Sequence, residues 1–253
     1  MSRLKLSFTS LRFSYGAQEV LHGVSSQISP GEITALFGPN GSGKTTLLKC
    51  LAGLLRPDQG DICINESSIL KLSPRERGKL VCYVPQEHGV SFGYTVEEVV
   101  LMGRTPHLGG MQGPQKKDYV LAKDAMKAIG IESIAHRPYT ELSGGQRQLV
   151  LIARALAQGC DIMILDEPTS ALDFRNQLTV WNTLRELKNT GKTILVCTHD
   201  PNHVMWFCDN VIALRDGTIF TSGAVSECMD APLMGELYGP VCEVRDRVVV
   251  PSF

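Results

Sequence analysis

Gly38-Pro39-Asn40-Gly41-Ser42-Gly43-Lys44-Thr45 follows the spacing G-x-x-x-x-G-K-[ST], with an apolar run before it and a helical pattern after it. Ile33-Thr34-Ala35-Leu36-Phe37 reads as a short buried strand, and Leu47, Leu48, Leu51, Ala52 and Leu55 recur on one helical face. The eight residues therefore form a loop that joins a strand to a helix, a register that an ordinary Gly-rich turn would lack. Three glycines let the backbone curl until successive N–H groups point at one anion, and the positive end of the following helix adds to the attraction. Lys44 is placed to bridge the outer phosphates of a nucleotide, and the Thr45 hydroxyl to hold Mg²⁺, with Thr46 behind it in the same helical turn.

Working outward, Asp166 and Glu167 close the apolar run Ile162-Met163-Ile164-Leu165. Two carboxylates at the carboxyl edge of a parallel sheet stand where such folds bind ligands. Neighbouring strand residues face opposite sides, so Asp166 is expected to serve the metal while Glu167 faces a water as general base. Leu142-Ser143-Gly144-Gly145-Gln146 precedes a helix with Leu149, Val150, Ala153 and Leu156 in a stripe. Ser143 is a candidate N-cap, and Gly144 and Gly145 allow close approach of backbone N–H groups to a second anion; taken alone, the segment is equally a plain Ser-Gly-Gly helix start.

The start of the chain, with Leu4, Leu6 and Phe8 alternating with polar residues, reads as a strand; with Val20 to Ile28 and Gly60 to Ile64 it suggests an antiparallel sheet beside the core. Ile162 to Leu165 and Thr193 to Cys197 flank a helix with Phe174, Leu178, Trp181, Leu184 and Leu187 on one face, which makes a βαβ unit. Between residues 87 and 157 helical patterns dominate, including Val96 to Met102 and Tyr119 to Ile129, with a loop at Gly109 to Pro114. The expected fold is α/β: a P-loop NTPase core (residues 1–86 and 158–223) with an antiparallel β subdomain, an inserted α-helical subdomain (87–157) and a C-terminal extension (224–253). Hairpins are expected at Asp216-Gly217 and near Asp246.

Composition narrows the class of function. The formal net charge of -1 over 253 residues excludes a broad basic field of the kind that holds nucleic acid. No apolar run approaches the ~20 residues that span a bilayer, and Met1-Ser2-Arg3-Leu4-Lys5 has no signal-peptide core, so a cytosolic protein is expected. The eight cysteines are scattered singly with no zinc spacing and read as reduced core residues.

The order of Gly38 to Thr45, Gln86 after Tyr83-Val84-Pro85, Leu142 to Gln146, Ile164 to Asp173, and Thr198-His199-Asp200 resembles the ATPase subunits of ABC transporters along essentially the whole chain. The resemblance implies ATP and Mg²⁺ as ligands, and a head-to-tail pair of subunits in which Ser143, Gly144, Gly145 and Gln146 of one complete the ATP site of the other. It implies that Tyr15 stacks on adenine, although a Tyr ending a strand also serves simple packing. By the same resemblance Gln86 senses Mg²⁺ and γ-phosphate, His199 contacts γ-phosphate and the attacking water, and Asp173 links the two sites. Integral membrane permease subunits and, indirectly, an extracytoplasmic binding protein are implied partners, which puts the chain at the cytoplasmic face of the membrane. Residues 87 to 107, Arg104 among them, are the implied contact with the permease.

Thr95 to His107 and the tail from Ser226 through Tyr238-Gly239 to Pro251 resemble the iron-siderophore, haem and cobalamin importers. Molybdate or tungstate importers share the architecture and are the nearest rival within the class. A soluble ABC ATPase of DNA repair or the ribosome would usually carry coiled-coil insertions or tandem domains, which are absent, and the ATPase of a separate-chain exporter is a third reading. His107, isolated, reads as packing or interface and not as a metal ligand. Pro201 and Trp206 depart from the subgroup's pattern at the helix after His199-Asp200.

Overall fold

The computed structural model describes residues 4–86, 93–109, 113–239 and 242–252. In chain order the first half comprises β1 (Leu6–Tyr15), β2 (Gln18–Ile28), β3 (Ile33–Phe37), α1 (Lys44–Leu51), β4 (Gln59–Ile64), β5 (Ser67–Ser68), α2 (Pro74–Leu80), β6 (Val81–Val84), α3 (Val96–Leu101) and α4 (Lys116–Ile129). The second half comprises α5 (Gly144–Gln158), β7 (Ile162–Asp166), α6 (Phe174–Asn189), β8 (Thr193–Cys197), α7 (Pro201–Phe207), β9 (Asn210–Arg215), β10 (Thr218–Ala224), α8 (Val225–Cys228), α9 (Ala231–Tyr238), β11 (Cys242–Arg245) and β12 (Val248–Pro251).

A six-stranded sheet runs β10-β9-β3-β8-β7-β6. Its strands are parallel except β10, which pairs antiparallel with β9 through the turn at Asp216-Gly217. Both faces are covered, so β3, β7 and β8 need no polar side, and every one of their residues is buried. Alternate side chains go to opposite faces. Ile33, Ala35 and Phe37 therefore join a core with the helices α3 to α6, while Leu36 joins a second core with α1 and the strands β1, β2 and β4. Those strands belong to an antiparallel sheet, β2-β1-β4-β5.

Helix ends are set by local chemistry. Thr95 caps α3 in a reciprocal pair with Glu98, and Ser143 caps α5 in the same way with Gln146. Pro201 occupies the first turn of α7, where its missing N–H costs nothing, and Asp200 caps that turn by accepting from the Asn202 and His203 N–H groups. The departure from the subgroup pattern at Pro201 therefore leaves the helix start intact; Trp206 stands half exposed beside Phe207, which stacks on Trp181.

Two expectations are corrected. Phe174 does not share the buried face of α6: it is 69% exposed in the first turn, and the buried stripe is Val180, Trp181, Thr183 and Leu184. The first turn overhangs the core, so periodicity alone carries Phe174 onto a face that has nothing to meet there. Arg104 is not a surface charge but an interior one. Its Nε lies 3.0 Å from Asp118 Oδ1, and its Nη1 donates to the Ala157 and Gln158 carbonyls at 2.8 and 3.2 Å. The guanidinium thus ties the turn after α3 to α4 and the end of α5. His107 accompanies it, its Nε2 2.8 Å from Gln158 O, a packing contact.

The chain ends in α9 and the hairpin β11-β12. Asn202 on α7 exchanges two hydrogen bonds with Val249, Nδ2 to O at 3.3 Å and N to Oδ1 at 2.7 Å, and the Arg247 guanidinium donates to Met205 O. Every cysteine is free. Burial pushes the Cys50 thiol up to about 12 and those of Cys197 and Cys208 upward as well, and a hydrogen bond with Cys160, together with burial, raises that of Cys82, so these behave as core groups.

Candidate nucleotide site

Four adjacent parallel strands end together. Leu36 and Asp166 both pair with Cys197, and Leu165 pairs with Val84. The segments that leave these strands therefore emerge side by side: Gly38 after β3, His199 after β8, Glu167 after β7 and Gln86 after β6. This is the carboxyl edge where open α/β sheets bind ligands.

The loop after β3 is shaped for an anion. Gly38 has φ 147°, and a Cβ there would stand 2.0 Å from the Leu214 carbonyl oxygen, so no other residue fits. Gly41 and Gly43 also take positive φ, 81° and 98°, so the loop curls tightly ahead of α1, with Ser42 N–H donating back to Pro39 O at 3.3 Å. Lys44 is buried to 7% exposure, its Nζ donating to Gly38 O at 2.9 Å and Pro39 O at 2.8 Å. Ser42 is buried, its hydroxyl unpaired among the described residues.

Around this loop lies a cleft of ≈ 630 Å³ lined by Tyr15, Gly38, Asn40, Gly41, Gly43, Lys44, Thr45, Thr46, Gln86, Glu167 and His199, together with Val20 and Tyr238. Its size suits a nucleotide-scale ligand. Tyr15, 51% exposed, packs edge-on against Phe13 at 4.9 Å.

The two carboxylates part company by a different route from strand alternation. β7 ends at Asp166, and Glu167 lies beyond it with φ 46°, a left-handed conformation unusual for Glu. The kink is fixed by Glu167 N donating to Cys197 O and by the Ser170 hydroxyl donating to Glu167 O. Such backbone costs about 1–3 kcal/mol and persists where the surroundings over-determine it. Its effect is to bring Glu167 Oε2 within 2.9 Å of Gln86 Nε2, which donates to it, and 3.1 Å from His199 Nδ1, a contact an Nδ1–H tautomer makes as donor. Asp166 is 1% exposed; its Oδ2 accepts from the Tyr83 hydroxyl at 3.2 Å, while Oδ1 has no hydrogen-bond partner among the described residues.

Asp166 is not itself a lining residue of the cleft, but it directly precedes Glu167, which is; its buried Oδ1 with the Thr45 hydroxyl and the Gln86 amide oxygen makes a set of oxygen donors of the kind a hard divalent cation takes. Among the described residues no three or more His, Cys, Asp or Glu side chains gather as a metal site of their own.

Not every expected residue comes to the cleft. Ser143, Gly144, Gly145 and Gln146 begin α5 elsewhere: Gly145 sits against Ala171, whose carbonyl oxygen would be 3.1 Å from a Cβ there, and Ser143 and Gln146 bond to each other's backbone N–H. Asp173 caps α6 by accepting from Asn176 N at 2.8 Å. Two lining residues, Val20 and Tyr238, were missed from the sequence. Tyr238, at the end of α9, packs its ring 5.7 Å from that of Phe37, directly before the loop, and its buried hydroxyl has no partner among the described residues. The resemblance of the tail to its subgroup marked Tyr238 as a feature without placing it in the site.

Comparison with known proteins bears on this geometry. Residues 21–170 match the family described as ABC transporter. The iron(3+)-hydroxamate import ATP-binding protein FhuC of Bacillus subtilis is 38% identical over 92% of this chain and 87% of its own length. Among solved structures, a chain described as a metal-chelate type ABC transporter in an inward-facing conformation superposes with TM-score 0.83 at 32% identity, covering 99% of this chain and 98% of that one. A bacterial ABC transporter cassette solved as a dimer gives TM-score 0.79 at 30% identity over 87% of this chain and 98% of its own. Because the family match runs unbroken through the phosphate loop, the Gln86 turn, the Ser143 helix start and the acidic end of β7, the chain belongs to the ABC transporter family, as one of its ATP-hydrolysing subunits.

Proposed function

We propose that this subunit powers import of a metal chelate, a ferric siderophore, haem or cobalamin, through separate integral membrane subunits fed by an extracytoplasmic binding protein. The observation that carries the mechanism is the meeting of Lys44, Gln86, Glu167 and His199 in one cleft, while the Ser143 helix start stands outside it. The cargo class rests on the likeness to the iron-hydroxamate and metal-chelate proteins.

Lys44 exchanges the Gly38 and Pro39 carbonyls for phosphate oxygens as ATP enters, and Tyr15 offers its ring to the base. Thr45, Asp166 and Gln86 would hold Mg²⁺, which when bound would supply positive charge to the outer phosphates. Glu167, held by Gln86 and His199, accepts the proton of the attacking water. A second copy, head to tail, brings Ser143, Gly144, Gly145 and Gln146 to the same phosphates, with Asp173 near the seam. Exposed Phe174, next to Asp173, is an apolar residue that such a seam would cover.

Among the described residues no helix is long and apolar enough to cross a membrane, so transport requires docking on a partner at the cytoplasmic face. A groove of ≈ 450 Å³ beside Gln86, with Leu54, Pro85 and Arg154 in its walls, is the seat we assign to it. Of the earlier docking segment, 87–92 lie outside the described residues; Tyr94 and Met102 are partly exposed and Arg104 is internal. Reconstituted complex should take up a ferric hydroxamate in an ATP-dependent way, and uptake of molybdate with none of the metal chelates would overturn the cargo assignment.

A further inference from the structure

The carboxylate assigned to the metal is itself held by Tyr83, a side chain the site has so far given no role. Tyr83 lies on β6, the strand beside β7, and its hydroxyl donates to Asp166 Oδ2 at 3.2 Å across the pair Tyr83↔Ile164, Val84↔Leu165. The two oxygens of Asp166 are therefore unequal. One is occupied by the phenol, and the other, buried, has no partner among the described residues. Asp166 is 1% exposed, and the side chains that reach it are the Tyr83 phenol, at 3.2 Å, and the Cys197 thiol of the neighbouring strand, of which the phenol is the stronger donor.

Tyr83 is suited to this. A phenol O–H is a hydrogen-bond donor and the carboxylate oxygen it faces is an acceptor. Its ring packs against the core that holds α1, and the same ring walls the groove with Leu54 and Arg154. A side chain fixed along its length and bonded at its tip sets the plane of the carboxylate it touches.

We propose that Tyr83 is a positioning residue for Mg²⁺: its hydroxyl pins one oxygen of Asp166 and so aims the other at the cation. Hydrogen bonds to ligating carboxylates are a general device for orienting them, and their removal typically weakens metal affinity by about 10- to 100-fold. The inference rests on the reading of Asp166 as the Mg²⁺ carboxylate.

Tyr83→Phe removes the hydroxyl and keeps the ring. The test is equilibrium binding of a fluorescent ATP analogue to the full chain, in EDTA and then across a Mg²⁺ titration. We expect unchanged binding in EDTA and a Mg²⁺ midpoint raised by about tenfold or more. A titration that superimposes on wild type overturns the proposal alone, and lost binding in EDTA overturns it in favour of a structural role. A wild-type chain whose nucleotide binding ignores Mg²⁺ overturns the reading of Asp166 and the proposal with it.

Discussion

Two glycine-rich helix starts differ in what completes them. The loop before α1 is finished within the chain: glycines at positive φ, a buried Lys44 and three neighbouring strand ends surround one cleft. The start of α5 is finished by its own cap, Ser143 with Gln146, and lines none of that cleft. Both present backbone N–H groups and a positive helix end. The first has cationic, acidic and imidazole side chains gathered by sheet topology, whereas the cation beside the second, Arg147, is turned to its own subdomain, donating to Thr140 O and lying over the Tyr139 ring. A helix start becomes a site when the fold brings chemistry to it, so the second acquires a role when another surface supplies the phosphate.

The largest effect should come from the catalytic end. Glu167→Gln keeps the turn and the contacts with Gln86 and His199 but removes the basic oxygen; hydrolysis should slow by about 10²–10⁴-fold with ATP binding retained. With ATP bound and uncleaved, size-exclusion chromatography should show a dimer. An exclusively monomeric species at high protein concentration would mean that the start of α5 does not meet a partner's nucleotide. Next, Lys44→Ala removes charge-assisted bonds worth about 1.5–3 kcal/mol, a loss of roughly 10- to 100-fold in ATP affinity measured by calorimetry on the isolated chain. Near-normal affinity would make the two helix starts alike after all.

How much of this was legible in the sequence follows the range of each contact. The loop, the apolar strands and the cap at Ser143 are written within a few residues of each other, and spacing reveals them. Glu167 was legible as an acid but not as a kink, because nothing about Glu advertises φ 46°; the bond to Cys197 O imposes it from another strand. Arg104 was misplaced since an arginine is normally solvated, and its partners Asp118, Ala157 and Gln158 are neighbours only after α4 and α5 pack. Tyr238 reaches Phe37 from some two hundred residues away, a closeness no local pattern carries.

The comparison sharpens further at Gly144. A Cβ there meets nothing within 4 Å, and the residue is not left-handed, so Gly144→Asp is sterically free. An acid in the first helical turn favours the helix by about 0.3–1 kcal/mol, yet it sets a negative charge where a partner's phosphate would lie. The isolated variant should be at least as stable as wild type and bind ATP within about twofold, well below the tenfold worth of 1.4 kcal/mol. ATP-driven dimerisation and hydrolysis should both collapse. Unimpaired turnover would remove the start of α5 from the site.

The smallest effect is that of the cap alone. Ser143→Ala leaves the Gln146 N–H without its acceptor, and N-cap losses of this kind cost about 0.5–2 kcal/mol. The bonds of this cap are long, 3.3 Å from Gln146 N to the hydroxyl and 3.2 Å from Ser143 N to Gln146 Oε1, so the lower part of that range applies. For a domain of this size roughly 1 kcal/mol corresponds to a melting temperature about 2–4 °C lower. Ser143→Thr keeps an acceptor at the cap and should recover most of that stability. If the hydroxyl serves the cap alone, both variants dimerise with ATP as wild type does once held well below their melting points. If it also reaches a partner's phosphate, the alanine variant needs a higher protein concentration to form the dimer, at a temperature where its fold is intact, and that gap between stability and association is what separates a cap from half of a site.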